Sequence, residues 1–247
     1  MELKKTLQYQ GNILFKYRSY LPIIMLIIAL YFHYLTEIKW NYFILEDSKY
    51  EIYYEMFCLL ISLFGLFIRI YTVGYTPKNT SGRNTKEQVA DSLNTTGIYS
   101  IVRNPLYLGN YFMYFGICLI TGNLWFLILS ILIFWIYYFI IIFAEEQFLE
   151  KKFGVEFIEW ADRTPIIIPR FSQYVRSNFS FNVKKVLRQE KDGFFVLFLL
   201  FTLFNVSAKL FYPLNDFNYI LLISCGVALV IYCVLKFLKS KTNILND

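Results

Sequence analysis

Histidine is almost absent from this chain: His33 is the single one in 247 residues. The four cysteines, Cys58, Cys118, Cys225 and Cys233, all fall inside apolar runs, and none has a partner at CxxC spacing. Zinc sites draw mainly on those two residue types, so no metal is expected. The cysteines read instead as small buried hydrophobes. Glycine is sparse too, at 11 residues, and no G-x-G-x-x-G follows a strand-like run. That excludes the usual Rossmann dinucleotide domain. No small-residue cleavage site follows the first apolar run, so no signal peptide is expected to be removed.

What fills the chain is apolar: 57% of it is hydrophobic and 21% aromatic, against 17% charged. Soluble domains of this length rarely carry so much Phe, Tyr, Ile and Leu, and the reading is an all-α, polytopic membrane bundle. About six stretches approach the roughly 20 residues needed to cross a bilayer, at 20–36, 52–73, 105–121, 124–143, 194–212 and 218–237. The third and fourth are separated only by Thr121-Gly122-Asn123, which allows nothing but an antiparallel helical hairpin. Pro105 suits the first turn of the third helix, where its missing N–H costs nothing.

Basic residues sort these stretches by side. Lys4, Lys5, Lys16 and Arg18 share a face with Lys78, Arg83, Lys86 and Arg103, with the run from Lys151 to Lys191, and with Lys236, Lys239 and Lys241. The other face holds Lys39, Lys49 and Lys209, diluted by Glu37, Glu46, Asp47 and Glu51. Both termini are therefore expected in the cytosol. The net charge of +6 is largely this topology signal, so nucleic acid is not an expected partner. The sequons at Asn79 and Asn94 fall on the cytosolic side, where no glycans are expected. Abundant Phe, Ile, Lys, Asn and Tyr suit an AT-rich genome and favour a bacterial inner membrane, with the endoplasmic reticulum as the alternative.

Two long polar segments, about 72–104 and 144–193, flank the hairpin and should meet at one cytosolic mouth. The chain divides accordingly into an N-terminal pair of spans (1–73), a core (74–170) and a basic linker with two C-terminal spans (171–247). Glu145 and Glu146, at the expected end of the fourth helix, read either as interfacial caps or as a carboxylate site facing the Arg103-Asn104-Pro105 turn. The stretch after them reads as an amphipathic surface helix with Phe148, Leu149, Phe153, Phe157 and Trp160 on its apolar face, either a passive anchor or a lid. Lys78, Arg83 and Lys86 form a basic cluster beside the membrane, suited to a topology signal or to a phosphorylated head group.

"LNTTGIYSIVRNPLYLG", then "AEEQFLEKKFG", then "TPIIIP" together resemble the integral-membrane methyltransferases related to isoprenylcysteine carboxyl methyltransferase and the phospholipid methyltransferases. The resemblance covers residues 84 to 169. It implies S-adenosylmethionine as cofactor, in a cytosolic pocket formed by Asp91, Ser92, Leu93, Asn94, Tyr99, the Asn104-Pro105-Leu106-Tyr107 turn and Glu145. Arg103 and Glu146 are the residues expected beside the reacting groups, and Lys78, Arg83 and Lys86 those expected on the acceptor.

Two departures stand out. Where the family has histidine before the proline, this chain has Asn104, which keeps donor and acceptor atoms but cannot titrate. Where the prenylcysteine enzymes carry an arginine four residues before the glutamate, this chain has Ile141. A membrane lipid is the expected acceptor, preferably through a phosphate oxygen such as that of lipid A. Carboxyl methylation of a prenylcysteine-like group and N-methylation of a phospholipid are the alternatives. An NADPH-dependent steroid-reductase-like enzyme is a further rival, disfavoured by Leu106 and Asn110. A non-enzymatic transporter or assembly factor is another, disfavoured by the scarcity of charge within the spans. Oligomeric state is left open.

Overall fold

The computed structural model describes residues 2–39, 50–77, 80, 88–211, 217–242 and 244–245. Eight α-helices follow one another among them. They are α1 (Glu2–Lys16), α2 (Tyr20–Lys39), α3 (Glu51–Gly74), α4 (Pro105–Leu119), α5 (Leu124–Phe153), α6 (Val155–Arg163), α7 (Val183–Phe211) and α8 (Tyr219–Lys241). Strand pairing among the described residues is limited to one bridge, Gly97 to Val175. The expected all-helical membrane bundle is what the chain forms.

Among the described residues five helices, rather than about six, are long and apolar enough to span: α2, α3, α5, α7 and α8. The expected third span, 105–121, is the 15-residue α4. At 1.5 Å per residue it reaches only about 22 Å, short of the hydrocarbon core. Pro105 starts it and Gly122, at φ +66°, turns the chain back directly after it. α4 lies instead against α3, where glycines let the two backbones meet. A Cβ on Gly109 would sit 2.7 Å from Arg69 Cγ and 2.8 Å from the Gly65 carbonyl oxygen, and one on Gly116 would strike Ser62 and the Cys58 carbonyl. Ser62 Oγ donates to the Met113 carbonyl at 2.9 Å across the same contact. Small residues of this kind are how helices associate where lipid is as apolar as leucine.

α5 runs 30 residues, to Phe153 rather than to 143. Nothing between Leu124 and Phe153 breaks a helix; the stop is Gly154, at φ +56°. The helix, about 45 Å long, therefore carries Glu145 and Glu146 in its interior and projects beyond a single bilayer core. The expected amphipathic helix is in consequence two pieces. Phe148, Leu149 and Phe153 ride on α5, while Phe157 and Trp160, on α6, are buried inward rather than laid on a membrane surface.

α7 starts at Val183, earlier than the expected 194, and takes up much of the presumed linker. Asn182 begins it, accepting from the Lys185 backbone N–H at 2.8 Å, and its own N–H donates to the Gly74 carbonyl at 2.8 Å. Lys185 Nζ then donates to the carbonyls of Thr76 and Pro77 at 2.8 and 3.0 Å, so the charges of this turn are spent on the end of α3. The main core joins Met25 and Ala29 of α2, Cys58 and Leu59 of α3, Phe126 of α5, and Leu197, Phe201 and Phe204 of α7. α1 packs along the second half of α5, bonding through Tyr137 Oη to the Leu14 carbonyl at 3.0 Å.

Candidate functional site

The two polar segments do meet. Gly97, at φ +62°, turns the chain so that its N–H donates to the Val175 carbonyl at 2.9 Å. Arg103 N–H donates to the Pro165 carbonyl at 2.9 Å, and Arg170 N–H to that of Ile101 at 3.0 Å. Asn104 Nδ2 donates to the Ile166 carbonyl at 3.2 Å, and Trp160 Nε1 to that of Tyr99 at 3.0 Å. The prolines at 165 and 169 thus bracket a bent strap whose backbone clasps the Arg-Asn-Pro turn. A turn held on both sides in this way is rigid, and Pro105 fixes its exit into α4.

Above the strap lies a cavity of about 280 Å³. Ligand cavities usually begin near ~300 Å³, so this one is of small-molecule size. Tyr107, on the first turn of α4, donates its hydroxyl to Glu145 Oε2 at 2.8 Å. One residue on, Glu146 pairs with Arg103, Oε1 to Nη1, at 3.2 Å. Both carboxylates of the Glu145–Glu146 pair are thereby aimed at the turn, one met by a phenol and the other by a guanidinium. Arg103 Nε is buried without a hydrogen-bond partner among the described residues. Burial pushes the Tyr99 phenol above its usual range, and the Glu145 carboxylate adds to the push, so Tyr99 is held as a neutral donor.

Of the residues the resemblance singled out, Ser92, Leu93, Asn94, Tyr99 and the whole Asn104–Tyr107 turn line this cavity, as do Arg103, Glu145 and Glu146. Asp91 does not: its side chain is exposed and off the cavity wall. An ionised carboxylate is most stable in water, which is where the loop leaves it. Lys78, Arg83 and Lys86 lie outside the described residues. Ile141 is fully buried, packed with Phe15, Tyr107 and Tyr138.

Sequence reasoning missed several wall residues. α1 and the turn after it bring Phe15 and Arg18; α3 brings Arg69; α4 adds Asn110; α7 adds Gln189 and Glu190. Arg69 is bound by both Glu190 oxygens, at 2.9 and 2.8 Å, and its Nη1 donates to Asn110 Oδ1 at 2.5 Å. The signal for Arg69 was available, since a charge inside an apolar span needs a partner. That for Glu190 was hidden in a run that reads as a solvated linker.

A helical membrane bundle with this motif order matches the phospholipid methyltransferase family over residues 55–156. Over that segment the chain is similar to integral-membrane methyltransferases of the phospholipid and isoprenylcysteine kinds. Among individual relatives, the protein-S-isoprenylcysteine O-methyltransferase of Saccharomyces cerevisiae is 31% identical over 114 residues, 45% of this chain and 47% of that protein. The cobalt-zinc-cadmium resistance protein CzcN of Cupriavidus metallidurans is 33% identical over 142 residues, 56% of this chain and 63% of that protein. The nickel-cobalt-cadmium resistance protein NccN of Alcaligenes xylosoxydans xylosoxydans is 32% identical over 117 residues, 47% of this chain and 52% of that protein. The matches span less than two thirds of each relative's own length. No solved structure matches the chain. Among the described residues no group of His, Cys, Asp and Glu could hold a metal ion.

Proposed function

We propose that this protein transfers a methyl group from S-adenosylmethionine to an oxygen of a lipid held at the membrane surface, with the cavity open to the cytosol. The observation that carries this reading is the Glu145–Glu146 pair on α5, one hydrogen-bonded by Tyr107 and the other ion-paired with Arg103 across the rigid turn, at the floor of an aromatic-walled cavity. The residues suit the cofactor. Glu145 offers a carboxylate to a positive amino group, Arg103 Nε offers an unspent donor to a carboxylate, and Tyr99, Tyr107 and Trp160 offer aromatic and polar surface to an adenosine.

Bound there, the cofactor supplies a methyl carbon already activated by its sulfonium. The chain therefore has to bind, orient and exclude water rather than furnish a nucleophile of its own. Tyr107 holds the Glu145 carboxylate in one orientation, and Trp160, by bonding to the Tyr99 carbonyl, packs α6 over the turn as one wall. An acceptor oxygen that is already anionic needs no general base. We favour a lipid phosphate over a carboxylate, because position 141 of α5 is apolar and buried and offers no fork for a carboxylate. The basic cluster Lys78, Arg83 and Lys86, which lies outside the described residues, is proposed to help neutralise that phosphate.

The test is to incubate membranes carrying the protein with methyl-labelled S-adenosylmethionine, extract lipids and locate the label by mass spectrometry. Label on a lipid phosphate is the expected result. Label on a carboxyl or on an amine nitrogen would replace the acceptor and leave methyl transfer standing. No transfer to any lipid, with no binding of S-adenosylhomocysteine, would end the reading.

A further inference from the structure

Asn110 lines the cavity one turn beyond Tyr107 on α4, on the same helix face and about 4.5 Å further from the Arg-Asn-Pro turn. Its side chain is an amide, and its neighbour decides which end faces where. Arg69 Nη1 donates to Asn110 Oδ1 at 2.5 Å. A guanidinium has only N–H groups to offer, so the amide oxygen must be the atom turned to Arg69. Nδ2, with two hydrogens, is the end left to the cavity, and it has no acceptor among the described residues.

Arg69 is itself fixed in place. Its Nε and Nη2 donate to the two oxygens of Glu190, on α7, at 2.9 and 2.8 Å. Gly109 brings α4 so close to α3 that a Cβ there would sit 2.7 Å from Arg69 Cγ. Three of the five N–H donors of Arg69 are thereby spent, two of them on a carboxylate that offsets its charge. Both oxygens of that carboxylate are turned to the guanidinium. This corner of the cavity therefore presents N–H groups from Asn110 and Arg69, while its carboxylate is engaged.

Such a corner discriminates between acceptor atoms. An oxyacid head group can place one oxygen on Nδ2 while a second, keeping its lone pairs, faces the methyl carbon. The O–C bond then forms as the C–S bond breaks, the bonding pair passes to sulfur, and no proton has to leave. An amine has a single nitrogen and no second atom to be held by. As an ammonium it would set its own N–H groups against those of the wall, losing hydrogen bonds to water without replacement, which is costly in a partly desolvated cavity.

We infer that Asn110 is the specificity-determining residue of the acceptor site: its Nδ2 donates to an oxygen of an anionic lipid head group and selects oxygen acceptors over amines. The inference rests on the methyl-transfer reading for its chemistry and is tested by binding, so that the two can fail separately. Wild-type protein, Asn110→Asp and Asn110→Leu would be loaded with S-adenosylhomocysteine and titrated with dihexanoyl phosphatidic acid and, separately, with octylamine. The aspartate variant keeps an oxygen for Arg69 and removes the donor. The leucine variant removes the donor without adding charge. Both should bind phosphatidic acid about ten- to a hundredfold more weakly, the range for losing a hydrogen bond to a charged group. Wild type should prefer phosphatidic acid to octylamine, and the leucine variant should lose most of that preference.

A loss confined to the aspartate variant would be charge repulsion alone. A loss confined to the leucine variant would mean that Asn110 serves only to hold Arg69. Unchanged binding in both would remove Asn110 from the acceptor site, and each of these outcomes overturns the inference. So does a wild type that binds octylamine as tightly as phosphatidic acid, or a leucine variant that loses affinity for S-adenosylhomocysteine instead of the lipid. Wild type that binds phosphatidic acid through Asn110 but no S-adenosylhomocysteine leaves the oxygen site standing and removes the methyl-transfer reading. Asn110→Ala stands in as the neutral variant should the leucine variant fold poorly.

Discussion

The bundle carries carboxylates at both of its ends, buried at one and half-buried at the other, and it treats them differently. Near the start of α3, Glu55 accepts from Asn205 Nδ2 at 2.7 Å and from Asn218 Nδ2 at 2.6 Å, each carboxylate oxygen with its own donor. Asn218 also caps α8, accepting from the Ile220 N–H at 3.1 Å, and its own N–H donates to Asn205 Oδ1 at 3.2 Å. Glu55, Asn205 and Asn218 are all buried, and the network ties α3, α7 and α8 together. At the other end Glu145 and Glu146 face a cavity, one bonded by Tyr107 and the other paired with an arginine that keeps a donor unspent. A saturated buried carboxylate stabilises the packing around it; an incompletely satisfied one beside a cavity has capacity left for a ligand.

This contrast can be broken by mutation, and the largest effect should fall on the saturated end. Asn205→Leu strips one donor from Glu55 in a dry interior. It should cost about 3 kcal/mol, the scale for stranding a buried charge, read as a lower unfolding midpoint in detergent. The folded fraction should bind S-adenosylhomocysteine as before. Equal destabilisation by Glu145→Gln would erase the distinction between the two ends.

At the cavity end the expected loss is in affinity. Glu145→Gln and Tyr107→Phe should each weaken S-adenosylhomocysteine binding by about ten- to a hundredfold in calorimetry, with the unfolding midpoint little changed. Unchanged affinity in both variants would remove Glu145 from the cofactor. Gly109→Ala links the two kinds of effect. Its new methyl would press on Arg69 Cγ and the Gly65 carbonyl, so α4 must shift away from α3. A stability loss of about 1–3 kcal/mol is expected together with a several-fold loss of cofactor affinity, since Arg69 and the turn at Pro105 move with it. The smallest effect belongs to Asp91→Ala. Its exposed side chain is off the cavity, so cofactor affinity should be unaltered, and a clear loss would show that the 88–94 segment closes further onto the ligand.

The turn and the glutamate pair were legible because each is a local pattern. Pro105 pre-sets the start of α4, whereas the run from the glutamates to Gly154 was read as a separate surface helix and proved to be the end of α5. The Tyr107–Glu145 bond follows once the hairpin is recognised. The charged run ahead of Gly193 was not legible in the same way. Seen as sequence, Lys184, Lys185, Arg188, Glu190, Lys191 and Asp192 look like a solvated linker; in the fold they are the first turns of α7, with Lys185 and Glu190 buried against partners on or just after α3.

Composition and apolar run length determined that this chain is a membrane helical bundle, because satisfying every backbone group in lipid leaves a chain of such runs little choice but helices. The order of short motifs determined which proteins it resembles, since rigid turns and paired carboxylates keep their spacing along the chain. Tertiary structure alone decided that α4 stops short of a span, that Glu190 answers Arg69 across 121 residues, and that Arg18 and α7 complete the cavity. Charges in a sequence carry no record of their desolvation. Only the packing of distant helices shows which cation meets which carboxylate, and where a corner is left for something else.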